Sequence, residues 1–135
     1  QNPCIFDDTV KRNIVINDNS TMSDEKIIHI LNQVGLYDKI KSFENGIYEN
    51  IKDSSFSKGE KQLLAFARAI AKETSIYIFD EPTSNIDIES EIQLKNVINN
   101  LSKDSTVIII AHRPATIENV DKVLKVEDGK VVQAK

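Results

Sequence analysis

The chain has 135 residues, 40% of them hydrophobic and 28% charged, with a formal net charge of -4. That is enough for one domain with a modest core, and the charge excludes a nucleic-acid module working through a broad basic face. Cys4 is the only cysteine, which excludes an intrachain disulfide and suits a reducing compartment.

The opening residues, QNPCIF, carry no initiator methionine and no cap, and read as the interior of a longer chain. No apolar run approaches the roughly 18 residues that suggest a membrane span. Residues 8–14, DTVKRNI, suit a short helix capped by Asp8 or Thr9. After a polar connector at 17–24, Ser23 caps a helix whose apolar positions are Ile27, Ile28, Leu31 and Val34, and Gly35 stops it. A weaker helical stretch, YDKIKSF, follows, and 44–55 reads as loop. The first third is therefore expected to be helical and fairly polar, with little to bury.

From Phe56 the pattern changes. Leu63, Phe66, Ala67, Ile70 and Ala71 follow i, i+3, i+4, i+7, i+8 spacing, the stripe of an amphipathic helix. SIYIFD, 75–80, is a short strand ending at Pro82, and a second helix over 87–101 turns Leu94, Val97, Ile98 and Leu101 inward. TVIIIA, 106–111, reads as a strand buried on both faces, as in a parallel sheet. Strand, helix and strand make a βαβ unit. The final stretch, 122–133, pairs two strands about Asp128-Gly129, a hairpin signal. The fold class is α/β: a helical portion, a βαβ parallel-sheet portion and a C-terminal β-hairpin.

Three stretches offer chemistry. Ser57 and Glu60 form S-x-x-E, a capping box worth about 1 kcal/mol that explains the serine without any ligand. Gly59 in the first turn costs about 1 kcal/mol relative to alanine, and a missing side chain there would let an anion approach the free N–H groups. Asp80 and Glu81 emerge together from the carboxyl end of their strand, the edge where open α/β sheets bind ligands. Asp80 suits a hydrated Mg²⁺ and Glu81 the polarisation of an attacking water, although Asp-Glu-Pro is also an ordinary turn. His112 follows the other strand, so adjacent parallel strands would bring it close to Glu81; a lone histidine is otherwise commonly structural. Asp87 is an N-cap for the helix at 87–101.

Taken in order, these stretches resemble the second half of an ABC-type ATPase domain, over nearly the whole chain. QNPCIFDDTVKRNI is similar to the Q-loop segment, FSKGE to the signature usually written L-S-G-G-Q, and IYIFDE to Walker B with its adjoining glutamate. SNID resembles the D-loop, and AHRPATIENVDKVLKVEDGKVV the H-loop and closing hairpin. T-V-K-R-N-I and F-S-x-G-E-x-Q-L-L-x-F-A-R-A look most like exporters, of multidrug or peptide type. The resemblance implies a partial P-loop NTPase fold, with residues 1–55 as Q-loop and helical subdomain and 56–135 as the signature-to-hairpin part of the ATPase core. It implies ATP and Mg²⁺ as ligands, Glu81 as general base, His112 positioning water and γ-phosphate, and Asp80 in the Mg²⁺ shell. Gln1 would sense Mg²⁺ and the membrane domain. Ser57, Lys58, Gly59 and Glu60 would meet ATP held by a second subunit, with Asp87 at the dimer contact. The cap and the anion site are then one structure. Implied partners are a second nucleotide-binding domain and a transmembrane domain, at the cytoplasmic side of the membrane, and no nucleic acid.

The sequence departs from that pattern. Lys58 replaces a signature glycine, Phe56 a leucine and Glu60 a glutamine. Nowhere is there G-x-x-x-x-G-K-[ST], the loop that supplies most of the phosphate grip; the only Gly-Lys is Gly129-Lys130. Without that segment's strands the sheet should show apolar surface and an open edge, and the isolated chain should be inactive. A non-transport ABC ATPase of DNA repair or chromosome structure, and a non-enzymatic ABC-like adaptor, remain as alternatives. The first predicts a long coiled coil before the signature, where 20–55 shows no sustained heptads.

Overall fold

The computed structural model describes residues 3–16, 21–84, 86–112 and 120–134. Of the two caps available to the first helix, α1 (Val10–Ile14), Thr9 is used: its hydroxyl accepts from the Arg12 amide. Asp8 instead joins Thr9 in β1 (Asp8–Thr9), which pairs antiparallel with β2 (Asn50–Ile51). Helix α2 (Asp24–Gln33) starts on the Ser23 cap, and α3 (Tyr37–Lys41) follows. The expected loop at 44–55 is more ordered than that, with 3-10 turns at Gly46–Tyr48 and Asp53–Ser55 on either side of β2. Backbone groups in so compact a stretch need partners, and tight turns supply them where no long element fits.

The expectation that the first third has little to bury is corrected. Val10, Ile14, Ile27, Leu31, Val34 and Ile40 are all buried. Only α2 shows a periodic apolar stripe, through Ile27, Ile30, Leu31 and Val34; α1 and α3 add Val10, Ile14 and Ile40, too few in so short an element to stand out in sequence. They meet in one core with α4 (Lys58–Ile70), which packs on both α1 and α2. Asn13 is buried among them, its amide accepting from the Phe6 N–H at 2.8 Å and donating to the carbonyls of Phe6 and Thr9. Arg68, near the end of α4, donates to the carbonyls of Asn13 (2.8 Å) and Cys4 (3.0 Å) and lies over the Phe6 ring. Desolvation holds its pKa below the ordinary arginine value.

The βαβ unit forms as expected. β3 (Ile76–Asp80) and β4 (Thr106–Ile110) are parallel, in register from Ile76 opposite Thr106 to Asp80 opposite Ile110, with α5 (Ile88–Leu101) between them in the chain. Tyr77 and Phe79 point inward, and Phe79 stacks on Phe66 of α4 with centroids 4.2 Å apart. The expectation that the second strand is buried on both faces is corrected: Ile108 is 47% and Ile110 49% exposed, beside Ile78 at 65%. Helices α4 and α5 cover one face, and no described residue buries the other. Apolar surface is exposed there, as expected from the sequence. At the C-terminus, β5 (Leu124–Glu127) and β6 (Lys130–Gln133) form the hairpin, turning through Asp128 and Gly129, both with positive φ. That double positive φ matches the twist of the strands and is why the second turn residue is glycine.

Candidate nucleotide-binding site

The candidate residues form two clusters. The first lies at the carboxyl ends of the parallel strands. Because Asp80 sits opposite Ile110, the residues just beyond both strands leave the sheet at one edge. Glu81 adopts φ 45, a conformation uncommon outside glycine, yet its N–H still donates to the Ile110 carbonyl at 2.8 Å. Its own carbonyl accepts from Ser84, so the strained turn is pinned on both sides. Pro82 follows, buried, in a place where no N–H is left over. Backbone strain of this kind is maintained by surrounding structure and concentrates at functional sites.

His112 completes the cluster: its Nε2 is 3.1 Å from Glu81 Oε1, with the imidazole 82% exposed. The register argument made from sequence thus holds in space. Asp80 is exposed at the strand end, and its carboxylate makes no hydrogen bond or ion pair with the other described residues. A solvent-facing, uncommitted carboxylate fits a Mg²⁺ ion that keeps most of its waters. Among the described residues, no group of three His, Cys, Asp or Glu side chains is placed to hold a metal, so a cation here would rest on Asp80, water and substrate oxygens.

The second cluster joins the N-termini of α4 and α5. Ser57 and Glu60 make the full reciprocal box: the Glu60 N–H donates to Ser57 Oγ at 3.2 Å, and the Ser57 N–H donates to Glu60 Oε2 at 2.7 Å. Lys58 is exposed in the first turn. Gly59 is buried, and for a reason that sequence reading missed. A Cβ there would lie 2.2 Å from Ser90 Oγ and 2.6 Å from Asp87 Oδ2. The glycine is thus required by the close approach of α5, whatever else meets its N–H. Asp87 caps α5, accepting from the Ser90 N–H at 2.9 Å and the Ser90 hydroxyl at 2.8 Å. Those bonds, the amide first, hold its carboxyl below the ordinary aspartate value.

Sequence reading also missed Lys39 of α3, whose Nζ donates to Glu60 Oε2 at 2.6 Å. No local pattern could have found it, since 21 residues separate the partners. Asp87-x-x-Ser90, in contrast, is an N-cap spacing that predicts its own contact. Gln1 lies outside the described residues, as do 113–119.

A solved structure described as a bacterial Atm1-family ABC exporter with ATP bound superposes with a TM-score of 0.81 and 29% identity, over 96% of this chain and 23% of that one. The ATP-dependent lipid A-core flippase of Francisella novicida is 38% identical over 136 residues, 99% of this chain and 23% of that protein. The probable multidrug resistance ABC transporter ATP-binding/permease protein YheH of Bacillus subtilis (strain 168) is 37% identical over 135 residues, 98% of this chain and 20% of that protein. The chain therefore spans less than a quarter of the length of these relatives.

With the parallel strands, their acidic edge and the separate capped start of α4, these likenesses define the class: an ABC-type nucleotide-binding domain related to exporter-type ABC transporters. Residues 6–133 match the family model described as the RecF/RecN/SMC N terminal domain. The chain belongs to that family.

Proposed function

We propose that this chain is the Q-loop-to-hairpin part of an ABC exporter's nucleotide-binding domain, which couples ATP binding and hydrolysis to export across a membrane. The observation that carries the reading is the Glu81–His112 pair, 3.1 Å apart at the carboxyl edge of two parallel strands. Glu81 accepts a proton from the water that attacks the γ-phosphate. His112, held by that carboxylate, orients the water and donates to a phosphate oxygen. Asp80 holds the shell of a Mg²⁺ ion, which when bound offsets charge on the β- and γ-phosphates. Ser57 and the amides beyond it, including that of Gly59, receive the γ-phosphate of an ATP bound by a second nucleotide-binding domain. Lys58 and Glu60 flank that contact, and Asp87 serves the dimer interface.

Residues 1–55 and 56–135 act in this scheme as helical subdomain and core portion. The transported class is of multidrug or peptide type, and the setting is the cytoplasmic side of a membrane-embedded transporter. Among the described residues, no helix is long and apolar enough to cross a membrane.

In the full-length protein, Glu81→Gln is expected to lower ATP turnover by about 10²-fold or more, the scale of a lost general base, while MgATP binding persists. Turnover at the wild-type rate sinks the assignment. The 135 residues contain no G-x-x-x-x-G-K-[ST] loop, so the isolated chain should bind MgATP very weakly and hydrolyse none. Tight binding by calorimetry would contradict this.

The family match also bears on a non-transport ATPase of DNA repair or chromosome structure. The described α-helices before the signature, α1, α2 and α3, have 5, 10 and 5 residues, which is too short for the long coiled coil that reading needs. DNA stimulation of the full-length ATPase would revive it.

A further inference from the structure

The variant turn Ser57-Lys58-Gly59-Glu60 places a carboxylate in the first turn of α4, where the resembling pattern has a neutral glutamine. An acid there favours the helix, since it complements the positive end of the macrodipole. It should also repel any phosphate drawn to the same end. The structure holds both facts together through Lys39. One oxygen, Glu60 Oε2, accepts from the Ser57 N–H at 2.7 Å and from Lys39 Nζ at 2.6 Å. Lys39 reaches it from α3 with its ammonium 4.7 Å from the Phe56 ring centroid, which fixes the direction of approach. Both side chains are about 30% exposed, so the pair is neither fully screened nor deeply buried. Burial opposes ionisation of Glu60, but the Lys39 hydrogen bond and the Ser57 amide outweigh it and keep the carboxyl below its ordinary value.

We infer that Lys39 is a positioning residue for this signature turn: it neutralises Glu60 and keeps its carboxylate under the Ser57 amide as a cap. The acid then serves the helix without repelling the anion that Ser57 meets. The inference rests on Ser57 being a nucleotide contact. It makes the Glu60 variant depend on a cation that a glutamine would not need.

Two measurements test it. In the 135-residue chain, Lys39→Met keeps a long unbranched side chain and removes the charge that lies over Phe56. The Ser57 amide resonance should move and its hydrogen exchange rise about fivefold, the scale of a half-exposed ion pair. Lys39→Arg should restore both, and in a Glu60→Gln background Lys39→Met should change neither. A Ser57 amide indifferent to Lys39→Met overturns the proposal. In the full-length ATPase, Lys39→Met should raise KM for MgATP about fivefold and leave kcat within about twofold, again only where Glu60 is present. If Ser57→Ala raises KM and Lys39→Met does not, the charge-neutralising role is wrong. If Ser57→Ala also leaves KM unchanged, Ser57 is no nucleotide contact, and the inference falls with that reading.

Discussion

Gly59 illustrates how one residue can carry two explanations of different standing. Its place in the first turn of a helix suggested room for an anion, and its N–H does remain at the positive helix end. The packing reason is the more immediate: Ser90 Oγ and Asp87 Oδ2 occupy the space a side chain would need. Gly59→Ala should therefore destabilise the chain by about 1–3 kcal/mol, as overpacking does, measured by denaturant unfolding without nucleotide. The companion change Ser90→Ala should recover part of that loss, since it removes the nearest clashing atom. A Gly59→Ala variant of unchanged stability would leave the anion explanation alone. Glu81 differs, because its φ of 45 was invisible in the letters and follows from keeping the Ile110 bond while the chain turns.

The helices at the candidate site are held at their starts by side chains that titrate in acid. Glu60 caps α4, and Asp87 caps α5. Hydrogen bonds and the Lys39 charge depress the folded-state pKa of Glu60, and the Ser90 bonds do the same for Asp87. A carboxyl depressed on folding binds fewer protons folded than unfolded, so stability rises with pH through that interval. The contribution is complete above the unfolded values of about 4.3 for Glu and 3.9 for Asp. It is lost as pH falls through the lower folded values. Glu60→Gln should flatten the acid limb of the stability curve below about pH 4.3, followed by thermal unfolding at stepped pH. An acid limb identical to wild type would mean Glu60 is uncoupled from the cap. These caps were legible because S-x-x-E and D-x-x-S are local spacings. Lys39 was not, because its contact is made by two helices folding together.

Across the molecule, the two faces of the β3–β4 sheet have opposite fates. Phe79 stacks under Phe66, whereas Ile78 is 65% exposed one residue earlier. Phe79→Ala should cost about 3–5 kcal/mol. Ile78→Thr, which keeps the β-branch, should cost less than about 0.5 kcal/mol. Equal costs in denaturant titrations of the isolated chain would show that something covers the isoleucine face in solution. The strand at 106–111 is an unbroken apolar run, which by itself reads as burial on both faces. Which face is covered depends on where α4 and α5 lie.

Local chemistry was enough to read the elements that carry short-range signals: the Ser23, Ser57 and Asp87 caps, the Asp128-Gly129 turn and the strand–helix–strand order. The meeting of Glu81 and His112 was also legible, since parallel pairing of two apolar strands leaves their following residues at one edge. Packing settled the rest. The core of the first third, the Arg68 bonds to the Asn13 and Cys4 carbonyls, the Lys39–Glu60 pair and the occupied space beside Gly59 join residues far apart in the chain. Each depends on the relative placement of whole elements, which arises from the summed burial of many small apolar contacts and leaves no mark on any single stretch of sequence.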